Sequence, residues 1–274
     1  MAVARVFPAQ SAGGPEAFAH VPAPDHRSSR GRVAHSRVGS RVALALAAVA
    51  LFAVFCPNPP RLHAADAVTS LTADKGKFRI LLNNSEVGSE EFEISSDGDN
   101  WIARGEAVIK GSQGAGDEHS SGQLRIAADG TPLHYDWAAQ TGKDKKTTGK
   151  VDFENGTAKT TTNVPGKNPL MQDFHFDSPH IAILDNNLYD QYAILARLYD
   201  WNAKGAQNFP VVIPQDVTPG MITVESEGRK YTEGGEFDAL RVSTSDLQVE
   251  LFFDAKHHLA RIEVPSAKVV IVRQ

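Results

Sequence analysis

The chain from about residue 65 onward encodes a mainly β fold: a strongly curved antiparallel sheet or open β-barrel with one amphipathic helix packed against it. Three observations carry this reading. Short segments alternate apolar and polar residues with the period of two that a half-buried strand needs. The dipeptides Asp129-Gly130 and Asn155-Gly156 supply the positive φ angles of tight hairpins, so neighbouring strands are expected to run antiparallel. One segment, Asp185 to Asn202, instead repeats apolar residues at helical spacing.

The first strand places Phe78, Ile80 and Leu82 on one face and Lys77 and Arg79 on the other. Asn83-Asn84-Ser85 turns the chain into Val87 to Ile94, where Phe92 and Ile94 point together, and Asp97-Gly98-Asp99-Asn100 reverses it into Trp101 to Lys110. A glycine-rich tip, Gly111 to Gly116, precedes a strand over Gly122 to Ala128 carrying Leu124 and Ile126. Asp129-Gly130 then leads to Leu133, Tyr135 and Trp137 at alternate positions. The polar stretch Asn163 to Pro169 is the one credible internal boundary, and two β-lobes bridged by the helix is the competing layout.

In the helix, Leu188, Tyr192, Leu195 and Tyr199 form a stripe that Ile194, Leu198 and Trp201 widen. Asp185 or Asn186 is expected to cap its amino end, and Gly205 lies just past the carboxyl end. Strands resume over Phe209–Ile213, Met221–Glu227, Phe237–Val242, Leu247–Phe253, Leu259–Val264 and Ala267–Val272. Leu247, Val249, Leu251 and Phe253 make an apolar face. No repeat of fixed period occurs.

Upstream, Arg41 precedes an apolar run from Val42 to Phe55, a proline-rich neck, and small residues at Ala64, Ala65 and Ala67. This is the layout of a secretory signal peptide over residues 41–64, short for a membrane span, and it implies a periplasmic or secreted protein. Residues 1–40 read as a disordered or untranslated extension, with Val38 an alternative start. The lone cysteine, Cys56, would leave with the signal. Phe55 before it argues against lipid attachment, and a thiol-free mature chain excludes disulfides, Cys-ligated metals and cysteine nucleophiles. Seven of the 28 basic residues but only two of the 33 acidic ones precede the cleavage site, so 21 basic and 31 acidic residues leave a formal charge of −10. Nucleic acid is excluded as a partner, because phosphate-backbone affinity comes from Lys and Arg.

The half from Leu188 to Val272 resembles a family of exported bacterial β-proteins classed as a domain of unknown function. The shared features are Leu188-Tyr189-Asp190-Gln191-Tyr192 with Gly205 and Phe209, then Gly235-Glu236-Phe237-Asp238-Ala239-Leu240-Arg241-Val242. Val249-Glu250-Leu251-Phe252-Phe253-Asp254, Leu259-Ala260-Arg261-Ile262-Glu263 and the Phe78 to Ile94 hairpin through Gly88 complete them. The resemblance implies fold and export but transfers no catalytic residue. A curved sheet holding a helix on its concave side is also similar in plan to periplasmic lipoprotein carriers, a likeness of fold alone.

No Gly-x-Ser-x-Gly elbow, His-Glu-x-x-His helix or phosphate loop occurs after residue 64. Asp173, His175 and Asp177 alternate along one strand, with His180 beyond, but the polar face of a strand backed by Phe174 and Phe176 explains them better than a metal site. His257-His258 reads as an exposed turn, and Glu90-Glu91 as solvated charge. No catalytic residue, metal ligand or cofactor is assigned. Core packing accounts for the helix stripe, and the same residues, Leu188, Tyr192, Leu195, Tyr199 and Trp201, are the candidate lining of a ligand cavity. The expected function is a non-enzymatic exported binding or carrier module for a lipid-like or hydrophobic molecule, or a partner of an envelope assembly. The alternatives are a periplasmic hydrolase or sugar-active enzyme using acidic residues, and a structural envelope protein without a small ligand. Arg197, interrupting the apolar stripe, is expected to pair with an acid or to meet an anionic head group.

Overall fold

A computed structural model describes residues 71–111, 116–203 and 205–274, all within one compact unit. The signal-like segment, Cys56 and most of the glycine-rich tip lie outside the described residues. Eight strands come first: β1 (Asp74–Leu82), β2 (Ser85–Asp97), β3 (Asn100–Ile109), β4 (Glu118–Ala127), β5 (Pro132–Thr141), β6 (Thr147–Glu154), β7 (Thr157–Asn163) and β8 (Leu170–His175). The short β9 (Ala182–Ile183) and helix α1 (Asp190–Leu198) follow. The chain then returns through β10 (Ala206–Ile213), β11 (Thr218–Thr232), β12 (Gly235–Ser243), β13 (Gln248–Phe253), β14 (Leu259–Val264) and β15 (Val269–Arg273).

These strands form one sheet in the order β8-β7-β6-β5-β4-β3-β2-β1-β15-β14-β13-β12-β11-β10-β9. The first and last strands pair at its centre, Phe78 opposite Arg273 and Leu82 opposite Val269. Every pairing is antiparallel except β9 with β10, because β9 enters after the crossing between the two arms of the meander. Asn163 to Pro169 joins β7 to β8 within this sheet.

Curvature has local causes. Register shifts at Ile80/Leu81, Arg125/Ile126, Ser226/Gly228 and Phe252/Phe253 bend the strands that carry them. A transverse row of neighbours, Gly76, Phe92, Gly105, Gly122, Trp137 and Gly149, sets two rings among four glycines across six strands. The sheet thus curls until the turn Pro214–Asp216 lies against β6, distant from it in strand order. It stays open between β8 and β9.

The alternation read from sequence places the core. Phe78, Ile80, Phe92, Ile94, Leu124, Ile126, Tyr135, Trp137, Leu247, Val249, Leu251 and Phe253 all face inward and join a single apolar cluster. Burial of such side chains stabilises by roughly 1.5–3 kcal/mol each. The helix belongs to the same cluster and is shorter than its sequence stripe. Asn187 has φ of 62°, a left-handed conformation that prevents an earlier start. Tyr199 is already extended, with ψ of 124°, so Tyr199 and Trp201 follow the helix rather than ride on it. Neither Asp185 nor Asn186 caps it, and Gly205 does not terminate it: its carbonyl accepts the Tyr199 hydroxyl at 2.8 Å. From Asp190 through Ala196 the helix is buried on every side, polar residues included.

Candidate functional site

The two ends of α1 hold the molecule's least expected chemistry. At the amino end, the backbone N–H groups of Tyr189 and Asp190 donate at 2.9 and 3.1 Å to the two carboxylate oxygens of Glu90, about a hundred positions away on β2. Free N–H groups and the helix dipole make this end a natural seat for a carboxylate. Glu90 is completely buried, on the same inward row as Gly88, Phe92 and Ile94, rather than solvated beside Glu91. Its signal was its parity within the strand; its charge pointed the other way.

Asp190 shares the space. A Cβ placed on Gly105 would lie 2.8 Å from Asp190 Oδ1 and 2.9 Å from Glu90 Oε1, so both oxygens converge over one glycine. Across the strand pair, Gly122 makes the same room for the Tyr135 hydroxyl and Leu188. Burial first, and then the Asp190 charge, push the Glu90 carboxyl well above the usual range, while burial raises Asp190 to about 6. Asp190 Oδ1 has no hydrogen-bond donor among the described residues. Two adjacent buried carboxyls retaining one proton satisfy both constraints.

A third buried acid belongs to the same network. Asp185 accepts hydrogen bonds from Tyr135 Oη at 3.0 Å and from the backbone N–H of Gln215 at 2.9 Å and Asn186 at 3.1 Å. Gln191 joins the set, donating to Tyr135 Oη and accepting from the Asp185 N–H. Burial still outweighs these donors and raises Asp185 to about 7. It also drives the Tyr135 phenol up, helped by the Asp185 charge. Asn187 Nδ2 reaches Glu118 at 2.9 Å and extends the network to β4. The network fastens helix to sheet. At 6 % exposure or less, Glu90, Asp185 and Asp190 are out of a substrate's reach.

The carboxyl end is built differently. Trp201 donates its indole N–H to the Ala196 carbonyl at 3.2 Å and meets Tyr199 and Phe253 edge-on, at centroid distances of 5.5 and 5.7 Å. His257, whose φ of 59° turns the β13–β14 connection, sets its ring 5.4 Å from the same indole. Ala196, Arg197, Trp201, Asn202, Phe253 and His257 surround a cavity of about 210 Å³.

Of the five residues expected to line a ligand cavity, Leu188, Tyr192, Leu195 and Tyr199 lie in the packed interior at 3 % exposure or less, and Trp201 lines this cavity. Tyr199 ties strands together, accepting the Ser226 N–H at 3.1 Å. The hydroxyls of Tyr189 and Tyr192 are buried with no hydrogen-bond partner among the described residues. Arg197 forms no ion pair among the described residues; it donates to Thr72 Oγ1 and to the His257 carbonyl. Asp173 and His175 lie exposed on the edge strand β8, with His175 Nδ1 3.1 Å from Thr157 Oγ1. Among the described residues no group of three His, Cys, Asp or Glu is placed to hold a metal.

Residues 77–264 match the family described as a protein of unknown function (DUF3108), and the chain belongs to that family. Among solved structures it is similar to a β-barrel-like protein of domain of unknown function DUF1849 from Brucella abortus. The identity is 9 %, the TM-score 0.49, and the match covers 75 % of this chain and 96 % of the other. No curated protein matches the sequence.

Proposed function

We propose that this chain is an exported, non-enzymatic binding module that receives a hydrophobic or lipid-like group at the carboxyl end of its helix. The cavity beside Trp201 carries the reading. At about 210 Å³ it exceeds the roughly 150 Å³ of an engineered apolar cavity that binds benzene, and its walls offer an indole, a phenyl ring and a methyl group. Export rests on the signal-like residues 41–64. The hydrolase alternative needs two acids with displaced pKa values at one open cleft. The acids raised most strongly here are enclosed, which removes its main support.

Indole N–H resonances provide the test, since Trp101 and Trp137 lie elsewhere and serve as internal controls. Titrating the purified protein with 1-octanol is expected to shift the Trp201 indole signal, assigned with Trp201→Phe, and leave that of Trp101 in place. An unmoved Trp201 signal at saturating octanol would rule the cavity out as a ligand site. Export is checked separately: release by osmotic shock of a form beginning near residue 65 supports it, and retention of the intact chain in the cytoplasm overturns it.

A further inference from the structure

The cavity's rim carries a charge that no acid among the described residues pairs with directly. Arg197 is half-buried, and burial, partly offset by Asp74, pulls its guanidinium below the usual value. Asp74 is engaged elsewhere, accepting two hydrogen bonds from Arg273 at 2.6 and 3.0 Å. Both hydrogen bonds of Arg197 leave from Nη2 toward neutral oxygens, Thr72 Oγ1 at 3.0 Å and the His257 carbonyl at 3.4 Å. Among the described residues, the donors on Nε and Nη1 therefore meet no protein acceptor. A cation taken partly out of water without an anion is costly, and proteins retain one where something else supplies the negative charge.

Resting on the binding reading above, we infer that the occupant is an anionic amphiphile: one oxyacid head, carboxylate or phosphate, held by Arg197, with its apolar tail between Trp201 and Phe253. Charge and shape agree on this class. The planar guanidinium fork matches the oxygens of either head, and the aromatic walls begin on the next turn of chain. A neutral lipid would use the walls and leave the cation unanswered. A cationic one would be repelled.

Calorimetric titration with octanoate, octyl phosphate and 1-octanol, equal in chain length, separates the layers of the argument. At least one anionic probe is expected to bind tenfold or more tightly than octanol, and the tighter of the two identifies the head. Arg197→Gln is expected to erase that ratio to within twofold, while Arg229→Gln, an exposed arginine on β11, preserves it. Equal affinities of all three probes for the unmodified protein would overturn the anionic class and leave the hydrophobic site standing. A tenfold ratio that survives Arg197→Gln would overturn Arg197 as the residue that holds the head. Binding of none of the three would overturn both.

Discussion

One short helix ends in two opposite ways. Its amino end is closed over Glu90, Asp190 and Asp185, all three side chains inside the protein. Its carboxyl end stops at Leu198, with Arg197 beside a cavity that solvent can enter. Both arrangements obey the helix dipole, acid at the start and base at the end. Solvent access separates their roles. Enclosed carboxyls at the amino end accept the backbone donors of the helix start and act as a fastener, whereas the guanidinium at the carboxyl end is only half-buried.

The largest effect is expected from breaking the closed end. Glu90→Ala strands two buried N–H groups and opens a void, and should lower unfolding free energy in urea by about 3–5 kcal/mol. Glu90→Gln, which imitates the protonated acid, should cost less than half as much. A cost below about 1 kcal/mol for Glu90→Ala would show that the carboxyl is not the fastener.

The same end should make stability depend on pH. Acids whose folded pKa lies above the unfolded value bind more protons when folded, so their contribution is complete below about pH 4 and fades as pH rises through the folded value. For Asp185, raised from 3.8 to about 7, this means a loss on the order of 2–3 kcal/mol between pH 5 and pH 8. Asp190, raised to about 6, adds to the loss in the lower part of that window. Melting temperature should fall accordingly, and Asp185→Asn should flatten the slope. A melting temperature that rises from pH 5 to pH 8, through the same window, would contradict protonated acids at the helix start.

Crowding the shared space is gentler. Gly105→Ala drives a methyl group against both carboxyls and should cost about 1–3 kcal/mol, read from the denaturation midpoint. The matching change at the open end, Arg197→Gln, should alter stability by less than about 1 kcal/mol, since half-exposed charges contribute little. A loss as large as that of Glu90→Ala would abolish the contrast between the ends. Smallest is Tyr192→Phe, which removes a buried hydroxyl with no hydrogen-bond partner among the described residues and should shift stability by no more than about 0.5 kcal/mol. A cost above 1 kcal/mol would reveal a partner for that hydroxyl.

Much of this was legible along the chain, and the residues that escaped share a cause. Strand faces such as Phe78 with Ile80, or Leu247 through Phe253, follow from a two-residue period that neighbours alone reveal. Trp201, a candidate ligand residue on its sequence, stands beside the cavity at the helix end. Glu90 was read as solvated because a carboxylate in a strand usually is, and nothing near it in sequence shows the helix start that caps its oxygens. The helix was drawn too long at both ends: Asn187 turns left-handed and Tyr199 extends because each is bound into tertiary structure. Arg197 was expected to find an acid; the nearest, Asp74, is held by an arginine at the opposite end of the chain.

By itself, then, the sequence determined the class of fold, the hairpins, the inward faces and the presence of one helix, since these rest on interactions between residues a few positions apart. Tertiary structure alone decided which charges lost their water. The cost of burying a carboxylate or a guanidinium depends on what arrives from far along the chain to surround it, and that arrival made one end of the helix a fastener and left the other open to solvent.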